Sequence, residues 1–98
     1  MQKKEIKKDI QEKDSQDRYI LITTIGPNRP GLIAEISSVI AEFGYNIEDL
    51  DQVVMKNIFI LSMLVKIPFN ASIDKLKEKM YYLCNELGLE VSFYYAGR

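Results

Sequence analysis

The chain contains no histidine and no tryptophan. Without histidine it lacks the commonest general base near neutral pH and the commonest metal ligand. A single cysteine, Cys84, excludes an intramolecular disulfide and a cysteine-cluster metal site. No basic cluster surrounds Cys84, so it reads as a small hydrophobe on a helix. The formal net charge of -1 offers no basic excess for a nucleic-acid backbone. No apolar run approaches the ~18 residues of a membrane span. The N-terminus is charged and has no apolar core of the secretory kind. A cytoplasmic protein, with no nucleic-acid or membrane partner, is the expectation. What is present is apolar material: 47% of the 98 residues are hydrophobic. That suffices for one small domain. A core of this size is marginal alone, which favours a homodimer or a higher homo-oligomer.

Residues 1–17 stand apart. They hold five lysines and five acidic residues, with Ile6 and Ile10 as the only apolar anchors after Met1. One apolar pair does not offset the entropy of ordering such a segment. The segment reads as a charged flexible tail, with a helix docked on a partner as the alternative. The domain proper is expected over 18–98.

From there punctuation and periodicity give the elements. Residues 19–25 are β-branched and aromatic, stopped by Gly26-Pro27, and read as a strand. After Gly31 a helix places Leu32, Ile33, Ile36, Val39, Ile40 and Phe43 on one side. Gly44 ends it as a left-handed cap. A second strand runs over 47–55, acidic in its first half at Glu48, Asp49 and Asp51. Lys56-Asn57 makes a tight turn, with Asn57 expected to take positive φ. A third strand covers 58–67 and is apolar on both faces. One face therefore needs burial against another copy, either directly or at an adjoining edge. A second helix over 72–87 has Ser72 as its expected N-cap and an apolar stripe of Ile73, Leu76, Met80, Leu83 and Leu87. Gly88 closes it, and residues 89–95 alternate as a last strand. The order β-α-β-β-α-β predicts an α+β, ferredoxin-like fold: a four-stranded antiparallel sheet with two helices on one face.

The loop Gly26-Pro27-Asn28-Arg29-Pro30-Gly31 carries the chemistry. It ends at a helix N-terminus, where backbone N–H groups lack partners and carry the positive end of the helix dipole. Such a place attracts a carboxylate or a phosphate. Pro30 fixes its own φ and Gly31 has no side chain, so a small ligand can approach the backbone closely. Gly44-Tyr45-Asn46-Ile47 delivers Asn46 to the start of the next strand. Arg29 is the only cation of the loop and reads as solvated, not as a phosphate clamp. The acidic trio at 48, 49 and 51 is split between strand faces, which suits solvent or a dimer rim better than a hard cation. An RNA-recognition module shares this element order. The third strand, however, lacks the basic-glycine-aromatic pattern that stacks bases.

With its loop Gly26-Pro27-Asn28-Arg29-Pro30-Gly31-Leu32, the Phe43-Gly44 helix exit and Asn46-Ile47 opening the second strand, the chain resembles an ACT domain. That family is a small regulatory module attached to many amino-acid biosynthetic enzymes. The run Asn46-Ile47-Glu48-Asp49-Leu50-Asp51-Gln52 is most similar to stand-alone members. The chain also resembles the ACT modules of glycine-cleavage repressor-like proteins and of formyltetrahydrofolate deformylase. The resemblance implies a non-enzymatic module without a cofactor. It also implies a small ligand, usually an amino acid, at a dimer interface. Carried over, Asn28 and Asn46 are side-chain contacts, Gly31 and Leu32 supply N–H groups, and Pro30 and Ile47 complete the set. Some serine-responsive members carry a histidine where this chain has Gly26, which speaks against serine. A partner enzyme or regulator is implied, with a protein–protein adaptor lacking a small ligand as the alternative.

Overall fold

A computed structural model describes residues 17–96. The expected tail over 1–16 and the last two residues of the expected domain lie outside the described residues. The elements are β1 (Arg18–Pro27), α1 (Leu32–Glu42), β2 (Asn46–Met55), β3 (Ile58–Ile67), α2 (Asp74–Leu87) and β4 (Glu90–Ala96). They form one four-stranded sheet in the order β2-β3-β1-β4. Each neighbouring pair is antiparallel. The expected ferredoxin-like architecture is the one observed.

Strand alternation decides which side is covered. On β1, Ile20, Ile22 and Thr24 are buried; on β3, Phe59, Leu61, Met63, Val65 and Ile67 are buried. These residues face the stripes of both helices. Leu32, Ile36, Val39 and Ile40 come from α1, and Leu76, Met80, Cys84 and Leu87 from α2. All belong to one hydrophobic core. The other face, with Leu21, Thr23, Ile60, Ser62 and Leu64, is only half-buried. Cys84 is 1% exposed and sits in the core as the sequence suggested. Burial pushes its thiol pKa from 9.0 up to about 11, so it is neutral across the physiological range.

Local details depart from the sequence reading in three places. The left-handed residue of the β2–β3 turn is Lys56, at φ 56, and not Asn57. Helix α2 starts one turn position later than Ser72: its N-cap is Ile73, which has no side-chain acceptor to offer. Ser72 still helps, because its Oγ accepts from the Asp74 N–H at 3.3 Å. Finally, β2 carries an irregularity at Glu48: Ile47 pairs with Val65 and Asp49 with Leu64, leaving Glu48 as the extra residue of a β-bulge.

Arg18 anchors the far end of the sheet. Its guanidinium donates to the carbonyl of Ala71 and lies 5.5 Å from the Tyr95 ring centroid. Asp17 pairs with Lys66 at 3.6 Å. No helix among the described residues is long and apolar enough to cross a membrane.

One core group is unmatched. Thr24 is 0% exposed, and its Oγ1 finds no hydrogen-bond partner among the described residues. A buried hydroxyl without a partner costs about 1–3 kcal/mol. Thr24→Val exchanges that hydroxyl for a methyl of nearly the same shape. The expected result is a gain of about 1 kcal/mol in urea unfolding with an unchanged m-value. A loss of stability would mean that the hydroxyl is satisfied in solution.

Candidate functional site

The site grows out of the junction between β1 and α1. Gly26-Pro27 ends β1 opposite Phe59 and Ile58 of β3. The chain then turns, and the Asn28 N–H donates to the Asn57 carbonyl at 2.8 Å, which ties the loop to the β2–β3 turn. Gly31 takes the left-handed region at φ 83 and serves as the N-cap of α1, with no side chain capping the helix. A Cβ at this position would meet nothing within 4 Å, so conformation and not space selects glycine here. The first intrahelical bond runs from the Glu35 N–H to the Gly31 carbonyl at 3.1 Å. The N–H groups of the first turn are left without helical partners.

Those groups open on a cleft of about 360 Å³, lined by Asn28, Arg29, Pro30, Gly31, Leu32, Ile33, Ala34, Gln52 and Phe59. Its base is apolar, since Phe59 is 1% and Leu32 2% exposed. Its rim is polar, with the amides of Asn28 and Gln52. Arg29 is the one charged residue in the lining. The arrangement suits a small anion-bearing molecule: N–H groups and a guanidinium for the carboxylate, amides for other polar groups.

Four of the six expected residues, Asn28, Pro30, Gly31 and Leu32, thus line one cleft. The other two lie elsewhere in the chain. Asn46 and Ile47 begin β2 opposite Lys66 and Val65. Lys66 in turn lies opposite Tyr19, at the start of β1. Asn28 follows the other end of β1, so the two asparagines are most of a strand apart, about 25–30 Å at ~3.3 Å per residue. Asn46 donates its Nδ2 to Glu48 Oε2 at 2.5 Å.

Gln52 is the residue that sequence reasoning passed over. It pairs with Leu61 and so takes the helix-covered side of β2, between Leu50 and Val54. A polar residue within an apolar register was the available signal. A second hollow of about 610 Å³ lies between α2 and β4, lined by Tyr81, Tyr82, Asn85 and neighbours, with Glu90 its only charged residue. It has no helix N-terminus. Among the described residues no group of His, Cys, Asp or Glu could hold a metal ion.

Comparison with known proteins places the chain in a family. The ACT domain model matches residues 18–94. A UPF0237 protein of Methanopyrus kandleri is 43% identical over 72 residues, which is 72% of this chain and 80% of that protein. An ACT domain protein from Streptococcus pneumoniae superposes with a TM-score of 0.72 at 25% identity, covering 81% of this chain and 90% of that one. The fold also recurs in formyltetrahydrofolate deformylase of Pseudomonas putida KT2440, with a TM-score of 0.71 at 9% identity. There it covers 78% of this chain but 28% of the deformylase. The chain belongs to the ACT domain family.

Proposed function

We propose that this chain is a non-enzymatic regulatory module of the cytoplasm that binds a small amino acid between two copies of itself and modulates a metabolic enzyme or regulator. The observation that carries the reading is the cleft at the start of α1. There an uncapped helix N-terminus, the Asn28 amide and an apolar base formed by Leu32 and Phe59 converge. A carboxylate fits the N–H groups, and the amide oxygens suit an ammonium. The site draws on Asn28, Pro30, Gly31 and Leu32 of one copy and on Asn46 and Ile47 of the other. Ligand binding regulates by favouring one packing of the module over another.

A thermal-shift screen of the proteinogenic amino acids tests this. A ligand at ~100 times its Kd adds about 2.7 kcal/mol to stability. Asn28→Ala and Asn46→Ala, both at exposed positions, are expected to weaken calorimetric binding of the responding amino acid by about 1–3 kcal/mol each with folding preserved. Unchanged affinity in both variants would place the ligand elsewhere. The exposed apolar residues Val53, Val54, Met55 and Ile58 favour one second reading, a protein–protein adaptor. A screen in which no amino acid raises the melting temperature would favour it.

A further inference from the structure

The hollow between α2 and β4 opens along a strand edge. On the strand side it is lined by four consecutive residues, 89–92. Consecutive side chains point to opposite faces of a strand, so what these residues share is the backbone at the free edge of β4. Tyr81, Tyr82 and Asn85 of α2 form the other wall. The two tyrosines are 50% and 71% exposed. A free edge beside a helix wall suits an extended peptide that joins as an extra strand. The edge supplies main-chain hydrogen bonds, and the groove receives alternate side chains.

Little on β4 guards that edge. Natural edges are blunted by lysines, prolines, bulges or covering elements. Residues 91–96 carry no charge, no proline and no glycine. The strand pairs with β1 residue for residue from Glu90 to Ala96, without a bulge. The surrounding charge says what fits. Residues 80–95 hold five aromatic side chains and two acids, Glu86 and Glu90, with no lysine or arginine. Farther along the same strand two rings already carry cations: Arg18 lies 5.5 Å from the Tyr95 centroid and Lys77 5.7 Å from that of Phe93. The hollow repeats the pattern with the cation missing from its lining, since Tyr81 and Tyr82 share it with Glu90 as the only charged residue. A lysine or arginine side chain meets both needs. Its aliphatic stem covers a tyrosine face, and its head reaches the carboxylate.

We propose that β4 accepts an extended basic segment of a partner protein as a fifth strand, with a lysine or arginine of that segment over Tyr81 and Tyr82 beside Glu90. The surface shares no lining residue with the cleft at the start of α1. It therefore works whether or not an amino acid is bound there, and it gives the module a hold on the protein it modulates.

The test titrates the full chain into a fluorescent, end-blocked peptide of sequence Lys-Val-Lys-Val-Lys-Val-Lys at physiological ionic strength. The expected result is a saturable rise in anisotropy, with none for the counterpart in which glutamate replaces every lysine. In the isotope-labelled full chain, the lysine peptide should shift the backbone amide signals of residues 89–95. Tyr82→Ala and Glu90→Lys, both at exposed positions, should each weaken binding about tenfold. A strand joins a sheet edge through every second N–H, so N-methylating one alternate set of peptide amides should abolish binding. Undiminished binding with either set methylated would overturn strand addition. Amide shifts confined to β2, whose acids also attract a basic peptide, would overturn the site. Absence of binding, which a groove already held by a second copy or by residues 1–16 would also give, would overturn the proposal as a whole. None of these readouts uses an amino-acid ligand, so they stand or fall apart from the amino-acid screen.

Discussion

Gly26→Ala is expected to cost this protein about 2–3 kcal/mol, although it adds one methyl group. Gly26 lies on β1 beneath the turn that joins α2 to β4. A Cβ there would meet Leu89 Cδ2 at 2.5 Å, the Gly88 carbonyl oxygen at 2.8 Å and Leu89 Cα at 3.0 Å. The leucine tip can swing away. The other two contacts are backbone, and they move only if the turn lifts from the sheet. Overpacking of this kind costs about 1–3 kcal/mol and sometimes more. For a domain of this size each kcal/mol shifts Tm by roughly 4–8 °C, so a fall of about 10 °C or more is expected. Leu89→Ala should not rescue the variant, because the Gly88 carbonyl remains in place. Gly31→Ala is the instructive contrast. That site has open space but a φ of +83, so its cost is backbone strain and should be nearer 1 kcal/mol. A Gly26→Ala loss below about 0.5 kcal/mol would show that the turn is not seated on β1. Any larger side chain at 26 would meet the same Gly88–Leu89 turn.

Phe59→Ala should be larger still, at about 3–5 kcal/mol. Phe59 is 1% exposed and pairs with both Gly26 and Val54, so it joins the core to the bottom of the cleft. Truncation removes its buried surface and leaves a cavity at the base of the cleft. Urea unfolding should show a lowered midpoint with the slope kept. A cost below about 1 kcal/mol would mean that the aromatic ring is not packed as described. Phe59→Leu should retain most of the stability, since hydrophobic exchanges near in volume usually cost less than about 1.5 kcal/mol. That variant also leaves the fold intact for the amino-acid screen, with a deeper cleft.

The element order could be read from the sequence because its signals are local. Glycines at 31, 44 and 88 mark left-handed positions, and all three are left-handed here. The stripes of both helices followed from spacing, and their buried residues match, with Ile33, Phe43 and Leu83 only partly covered. The loop half of the site was legible for the same reason: Asn28, Pro30, Gly31 and Leu32 are consecutive or nearly so, and a turn into a helix brings them together. What escaped depends on distant partners. The bulge at Glu48 is defined only by the register with β3. The demand for glycine at 26 comes from a leucine more than sixty residues away in sequence. Gln52 reaches the cleft because Leu61 fixes which way it faces. Lys56 takes the left-handed position that a short amide was expected to fill, and hairpin twist outweighs residue preference there.

Strand order has a consequence for how the molecule is made. The first strand synthesised, β1, lies between β3 and β4 and pairs with both over most of its length. Neither neighbour exists until most of the domain has left the ribosome, and α1 meanwhile has no complete sheet to cover. Contacts this remote in sequence form slowly, because the loop-closure entropy is lost before they repay it. A nascent chain paused before β3 therefore presents Ile20 and Ile22 to whatever is nearby, and the sheet is complete only once β4 has been made.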